Sequence, residues 1–369
     1  MIAILVATPL QLFNSMMIMQ HHYPYEKCDI FALDITCDMS AWINKLSPQS
    51  PVVNVYYMHD IWNHKSRVGV FWAHIHLTKM QRRILSAVKN KKYDVLLSTW
   101  VGMNSTWLFT KLRKKNPKMH VHFYEEGIGV YVSYIYEKYN GIRNMYKLLG
   151  YKFEEDYVEN LYMYRPDMCI GANRKLKRVS IGFPTSVDVK KIFNMNLRVE
   201  SYPGRVIYFD SNFEVAGMKG ISEISLVENI FEGFDKSVIS IRVHPHISTE
   251  RTHIYRNHGF YEDLNYNIPW ELMLCSNIIG EEKILVSPFS SAMLNPKMLY
   301  DKEPKIIMLG KAIKNDFNSE KWSSMFWSSN MQKLYDEIYN IYNHKERVKL
   351  PDSIAEASCI LKKWLQDEN

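Results

Sequence analysis

Residues 93–127 read YDVLLSTWVGMNSTWLFTKLRKKNPKMHVHFYEEG. The run 93–98 is short, apolar and bounded by polar residues, which is how a buried strand reads. From 104 to 115 apolar residues recur at helical spacing, and basic residues gather at the end of the run, where cations suit a helix terminus. At 120–124 a second strand-like run follows, closed by Glu125, Glu126 and Gly127. A strand, a helix and a strand in succession imply two parallel strands joined by a crossover.

The same alternation extends in both directions. Strand-like runs occur at 2–7, 29–35 and 52–57, with helix-like stretches at 10–20 and 70–89. The middle, about 133–200, is less regular and rich in Tyr, Lys and Asn, suited to acceptor-side helices and a crossing between domains. The segment 199–204, with Ser201, Pro203 and Gly204, reads as a linker. A second alternation then begins, with strand-like runs at 205–209, 238–243, 283–286 and 305–309. Helix-like runs fall at 222–231, 269–275, 290–300 and 331–342, and 353–365 reads as an amphipathic closing helix. The expected fold is α/β: two Rossmann-like domains facing across a cleft, residues 1–200 and 201–369, with ligands at the carboxyl ends of the strands.

Composition narrows the function classes. With 369 residues, 47% hydrophobic and 23% charged, the chain has the balance of two globular domains and not of a disordered one. The net charge of +7 suits nucleic acid, an anionic membrane surface or an anionic substrate. The basic residues are dispersed and no nucleic-acid recognition motif is present, so nucleic acid is not expected as a partner. Five scattered cysteines, with no Cys-x-x-Cys pair, argue against a disulfide framework and a zinc site, and fit a reducing cytoplasm. The apolar start, 1–13, lacks a basic n-region and a cleavage site and reads as a buried strand. No run of about twenty apolar residues spans a membrane.

Three candidate sites each follow an expected strand. Glu125 and Glu126 precede Gly127, whose backbone turns freely. Neighbouring side chains on a strand point to opposite faces, so one of the two acids faces a substrate, as a general base, and the other supports a loop. An acidic turn without catalysis is the plainer alternative. His244-Pro245 follows 238–243. Proline restricts the residue before it, holding His244 at an abrupt strand end, either to meet a departing phosphate or as a structural histidine. Ser290 and Ser291 open a helix-like run, where hydroxyls cap the helix or share a phosphate with its free N–H groups. Glu271, in Pro269-Trp270-Glu271, is either helix-start chemistry or a carboxylate for ribose hydroxyls. There is no Asp-x-Asp pair at a strand end, no His/Cys metal cluster, no Walker or Gly-x-Gly-x-x-Gly loop and no Gly-x-Ser-x-Gly elbow. Kinases, NAD enzymes, serine hydrolases and metal-dependent nucleotide-sugar transferases are therefore disfavoured.

The order Glu-Glu-Gly, His-Pro, Ser-Ser, each at a strand end, resembles the bacterial sialyltransferases. The opening Ala7-Thr8-Pro9-Leu10-Gln11 looks like glycosyltransferase family 52, which contains lipooligosaccharide and capsule sialyltransferases and also members that look like hexosyltransferases. The resemblance implies a GT-B fold and metal-independent, inverting transfer of sialic acid from CMP-sialic acid to a galactoside-type acceptor of a bacterial surface glycan. It implies Glu125 as the base with Glu126 in support, which of the two acts staying open, and His244 at the leaving phosphate. Ser290 and Ser291 would bind that phosphate and Glu271 the ribose. Thr8, Gln11, Gly127 and Pro245 would complete the substrate site. No metal or other cofactor is implied, because one phosphate can be balanced by an imidazolium, hydroxyls and a helix N-terminus. A cytoplasmic protein, peripheral contact with the inner membrane and a homodimer are further expectations. A UDP-sugar hexosyltransferase or epimerase in the same fold is the alternative.

Overall fold

The structure, a computed structural model, describes residues 1–33, 39–58, 67–99, 102–132, 140–194, 200–211, 213, 218, 220–243, 249–266, 268–275 and 279–366. The chain forms two compact units, Met1–Asn196 and Leu197–Asn369.

The first unit is built on seven parallel strands: β1 (Ile2–Val6), β2 (Cys28–Leu33), β3 (Val52–Met58), β4 (Val95–Ser98), β5 (His120–Tyr124), β6 (Val158–Met163) and β7 (Lys177–Ser180). They lie in the order β3-β2-β1-β4-β5-β6-β7. Every residue of β1 and β2 is buried. Strands covered on both faces cannot alternate apolar with polar, so they read as nearly unbroken apolar runs. Asp29 is the exception within β2. It is fully enclosed and accepts hydrogen bonds from Lys91 Nζ (2.6 Å), the Tyr93 hydroxyl (2.6 Å) and Asn54 Nδ2 (2.7 Å). Three donors make a buried carboxylate tolerable.

The second unit holds six parallel strands: β8 (Val206–Phe209), β9 (Ile239–Arg242), β10 (Tyr261–Glu262), β11 (Ile284–Ser287), β12 (Lys305–Met308) and β13 (Val348–Lys349). Their order is β10-β9-β8-β11-β12-β13. Counted within its own unit, this repeats the 3-2-1-4-5-6 order of the first six strands. In that order the chain winds outward from a central strand, then resumes on its other side. The loops after β1 and β4, and after β8 and β11, therefore diverge and leave a crevice at the strand ends.

Two parallel α/β units are what the alternation of runs implied, but several elements differ. The stretch 70–89 forms two helices, Arg67–Met80 and Arg82–Ala87, broken at Gln81, whose ψ of 10° leaves the helical range. The irregular middle supplies β6 and β7. The first half of β6 is partly exposed and β7 is an exposed edge strand, so neither shows a buried run. The stretch 290–300 divides into a 3₁₀ turn, Ser291–Met293, and the helix Asn295–Tyr300. The units divide at 196/197, and Glu200 already exchanges two hydrogen bonds with Asn265 of the second unit.

Candidate functional site

In the first unit, the helix Pro9–His22 begins directly after β1. Thr8 caps it, its hydroxyl accepting the Gln11 N–H at 3.1 Å. Gln11 is folded back over this cap. Its Oε1 accepts the Ala7 N–H at 2.6 Å, and its Nε2 donates to Glu126 Oε2 at 3.1 Å. One turn later Asn14 Nδ2 donates to the Glu125 carbonyl at 2.8 Å, while Asn14 Oδ1 accepts the Tyr164 hydroxyl at 2.9 Å. The first helix thus grips both acids that follow β5.

The two acids have opposite surroundings. Glu125 is 4% exposed, and one carboxylate oxygen accepts from the Tyr131 hydroxyl (2.6 Å) and the Tyr164 N–H (2.9 Å). Burial pushes its carboxyl up to about 7, against the pull of these two donors. Glu126 is exposed to solvent, yet its carboxyl has enough protein around it for desolvation to raise it above the ordinary value, with donors from Gln11 and Thr99 opposing. A carboxyl raised in this way holds a proton more readily than a free one, which suits a general base. Gly127 has φ of 139°, in the region that favours glycine, and turns the chain into Gly129–Val132.

In the second unit, His244 and Pro245 lie outside the described residues. The residues on either side of 244–248 are firmly held. Arg242, at the end of β9, is buried and pairs with Asp263, and it also donates to the carbonyls of Asn265 and Ile268 and lies over the Trp270 ring. Arg251, in the helix Thr249–Asn257, donates through Nε and one terminal nitrogen to the two oxygens of Asp210 just after β8, and through that same nitrogen to Glu223 Oε2 at 3.1 Å. Glu223 also receives the Tyr208 hydroxyl and the N–H groups of Ser211 and Phe213. Burial and the neighbouring Asp210 carboxylate push Glu223 well above the ordinary carboxyl range.

Ser290 and Ser291 are half-buried just beyond β11. Ser287 organises the turn: its hydroxyl donates to the Phe209 carbonyl (3.1 Å), accepts the Ser290 N–H (3.0 Å) and lies 3.4 Å from the Ser211 hydroxyl. Ser211 follows β8 and Ser287 ends β11, so they mark the second unit's crevice. Phe289 stacks on Phe326 at 3.8 Å and anchors the segment from below. The Ser290 hydroxyl caps the 3₁₀ turn by accepting the Ala292 N–H at 3.3 Å. Glu271 is enclosed: its Oε1 accepts from Asn295 Nδ2 at 2.7 Å, and burial raises its carboxyl. Among the described residues, no group of three or more His, Cys, Asp and Glu is placed to hold a metal ion.

The structure brings Thr8, Gln11, Glu125, Glu126 and Gly127 together in one unit, and Ser290 and Ser291 beside a crevice in the other. Sequence reasoning passed over Asn14, Tyr131 and Tyr164, which are ordinary helix and strand residues until folded. It also passed over Asp210, although an acid directly after a strand such as 205–209 is a readable signal.

No family model and no curated protein matches the chain. Among solved structures it is similar to the spinosyn rhamnosyltransferase SpnG, with a TM-score of 0.50 and 9% identity over 99% of each chain. It is also similar to Arabidopsis thaliana UGT89C1 complexed with UDP-L-rhamnose (TM-score 0.48, 9% identity, 100% of this chain and 90% of that one). A third is the E. coli heptosyltransferase WaaC with ADP-2-deoxy-2-fluoro heptose (TM-score 0.41, 11% identity, 100% of both). At such identities the likeness is one of fold, and the SpnG match defines it: two Rossmann-like domains of the GT-B kind.

Proposed function

We propose that this chain is a glycosyltransferase that moves sialic acid from CMP-sialic acid to a galactoside-type acceptor of a bacterial surface glycan, with inversion and without a divalent metal ion. The observation that carries the reading is Glu126, an exposed residue just beyond β5 whose carboxyl is raised by the protein around it and accepts a hydrogen bond from Gln11. The GT-B fold is compatible with it, at the level of fold alone. The ordered motifs Glu-Glu-Gly, His-Pro and Ser-Ser supply the choice of donor.

In this reading Glu126, not Glu125, takes the acceptor proton. Glu125 has its accessible space filled by Tyr131 and Tyr164 and serves as the fixed floor on which its neighbour stands. The acceptor oxygen attacks the anomeric carbon of sialic acid, the bond from that carbon to the phosphate oxygen breaks, and CMP leaves. The acceptor proton ends on Glu126 and the bond electrons on the phosphate. His244, Ser290 and Ser291 offset the phosphate charge, with Pro245 beside His244 in sequence. Glu271 is assigned to the nucleoside side, where its enclosed carboxyl accepts from Asn295 and holds that part of the turn in place.

The test is transfer from CMP-sialic acid to a labelled lactoside in EDTA, run beside UDP-sugars. Sialylated product in EDTA supports donor, reaction and metal independence together. Turnover only with a UDP-sugar discards the CMP-sialic acid reading and favours a hexosyltransferase or epimerase. No turnover, and no CMP binding by calorimetry, removes the nucleotide assignment.

A further inference from the structure

Among the described residues, helix Arg67–Met80 has a buried position on one face and exposed apolar positions on the opposite one. Leu77 is buried, and the helix Asn140–Leu148 rests against it. On the other side Val68, Phe71, Trp72 and Ile75 are 67, 52, 54 and 41% exposed. Their positions, i, i+3, i+4 and i+7, form one continuous stripe along a helix. A soluble surface carries isolated apolar side chains without consequence, but an aligned stripe containing a phenylalanine and a tryptophan is a docking face. The helix Asn140–Leu148 ends in Leu148, 89% exposed, and is followed by Leu149, 38% exposed.

The charge around this stripe is one-sided. Residues 61–93 contain eight Lys and Arg, at 65, 67, 79, 82, 83, 89, 91 and 92, and no Asp or Glu. Lys79, Arg82, Arg83, Lys89 and Lys92 are exposed, while Lys91 is engaged with Asp29. An apolar helical face with aromatic side chains, in a stretch of sequence with cations and no acid between Asp60 and Asp94, matches an anionic bilayer surface. Rings enter the headgroup boundary and cations meet the phosphates. A second copy of this chain fits less well, because a twofold contact through the stripe brings like charges together. Single-stranded nucleic acid would use the cations and the two rings, but has no use for the aliphatic Val68 and Ile75 in the same stripe.

We propose that helix Arg67–Met80 is a membrane-docking element that lays its exposed stripe on an anionic phospholipid surface. Among the described residues no helix is long and apolar enough to cross a membrane, so the contact is interfacial. The inference stands apart from the catalytic reading, and its readout contains neither donor nor acceptor.

The experiment is flotation of the purified full chain with vesicles of phosphatidylcholine containing phosphatidylglycerol, and with phosphatidylcholine alone. The wild type is expected to float with the anionic vesicles and to be released by salt. The pairs Phe71→Ser/Trp72→Ser and Arg82→Glu/Arg83→Glu are each expected to weaken binding on the order of tenfold or more. These residues are exposed, and an unchanged melting temperature establishes that the variants fold. The proposal is overturned if the wild type stays with the buffer, if both pairs bind like the wild type, or if neutral vesicles bind equally well. It is also overturned if the Phe71/Trp72 pair instead abolishes a dimer seen by light scattering, or single-stranded DNA binding, with no vesicle binding in the wild type.

Discussion

Glu125 and Glu126 are joined by a single peptide bond, yet one is enclosed and the other is open. Glu126→Gln keeps the shape and the Gln11 contact but removes the base, so turnover should fall by about 10²- to 10⁴-fold while CMP affinity holds. Kinetics and calorimetry on the same preparation check both halves; near-normal turnover would move the base elsewhere. Desolvation also raises the Glu126 carboxyl above 4.5. The acid limb of kcat/KM should accordingly lie above that value, with activity rising as the carboxyl ionises.

Two enclosed acids shape stability in the same direction. Glu125 is raised to about 7. Glu154 is fully buried, and although Ser105 and Thr106 approach it, neither of its carboxyl oxygens is properly hydrogen-bonded, so burial and Glu155 raise it too. A raised carboxyl favours the protonated fold. Its contribution is complete below 4.5, where folded and unfolded chains are both protonated, and is lost as pH rises through the folded value. Urea midpoints should therefore fall between pH 5 and 8. Glu154→Gln, which cannot ionise, should flatten part of that slope and stabilise the chain at pH 8; an unchanged slope would mean that Glu154 finds a compensating partner.

At the scale of elements, buried ion pairs fix the loops. Arg251 serves both Asp210 and Glu223, tying the helix Thr249–Asn257 to the end of β8. Arg251→Ala leaves the enclosed Asp210 without its cation and Glu223 without one of its donors, and should cost about 3–5 kcal/mol. Urea unfolding measures this, and a loss near zero would show that water reaches the cluster. The same scale explains what sequence alone reveals. Strands β1, β2, β4, β5, β8, β9, β11 and β12 are legible because burial on both faces leaves mostly unbroken apolar runs. β7, Lys-Arg-Val-Ser, lies exposed at an edge, where charge discourages further pairing and erases the apolar signal. β10 and β13 have two residues each, too few for any period. In the site, the acidic pair is legible but its division of environment is not. That division depends on Tyr131 and on Tyr164, the latter 39 residues beyond Glu125. Arg242 lay within a readable motif, but its partner Asp263 is 21 residues away.

For the molecule as a whole, a ligand that binds only the folded state raises its unfolding free energy by about 2.7 kcal/mol at a hundredfold excess over Kd. CMP should give this shift in thermal unfolding with EDTA present, and UDP at equal concentration a smaller one. Equal shifts would leave the base unread by the protein and point to the phosphate as its sole handle.

The strand order of the first unit also sets a schedule for synthesis. β1 is made first but sits in the middle of its sheet, between β2 and β4, and β7 completes the far edge only at Lys177–Ser180. At about 5–20 residues per second, a ribosome takes roughly 10–35 s to reach that strand, with the central strands waiting for neighbours. Every strand pairing of this sheet lies within Met1–Asn196, so the nascent chain can finish its first unit before the second has been translated. Until β4 emerges, one side of the wholly apolar β1 has no partner, and that interval is when a chaperone has the most to protect.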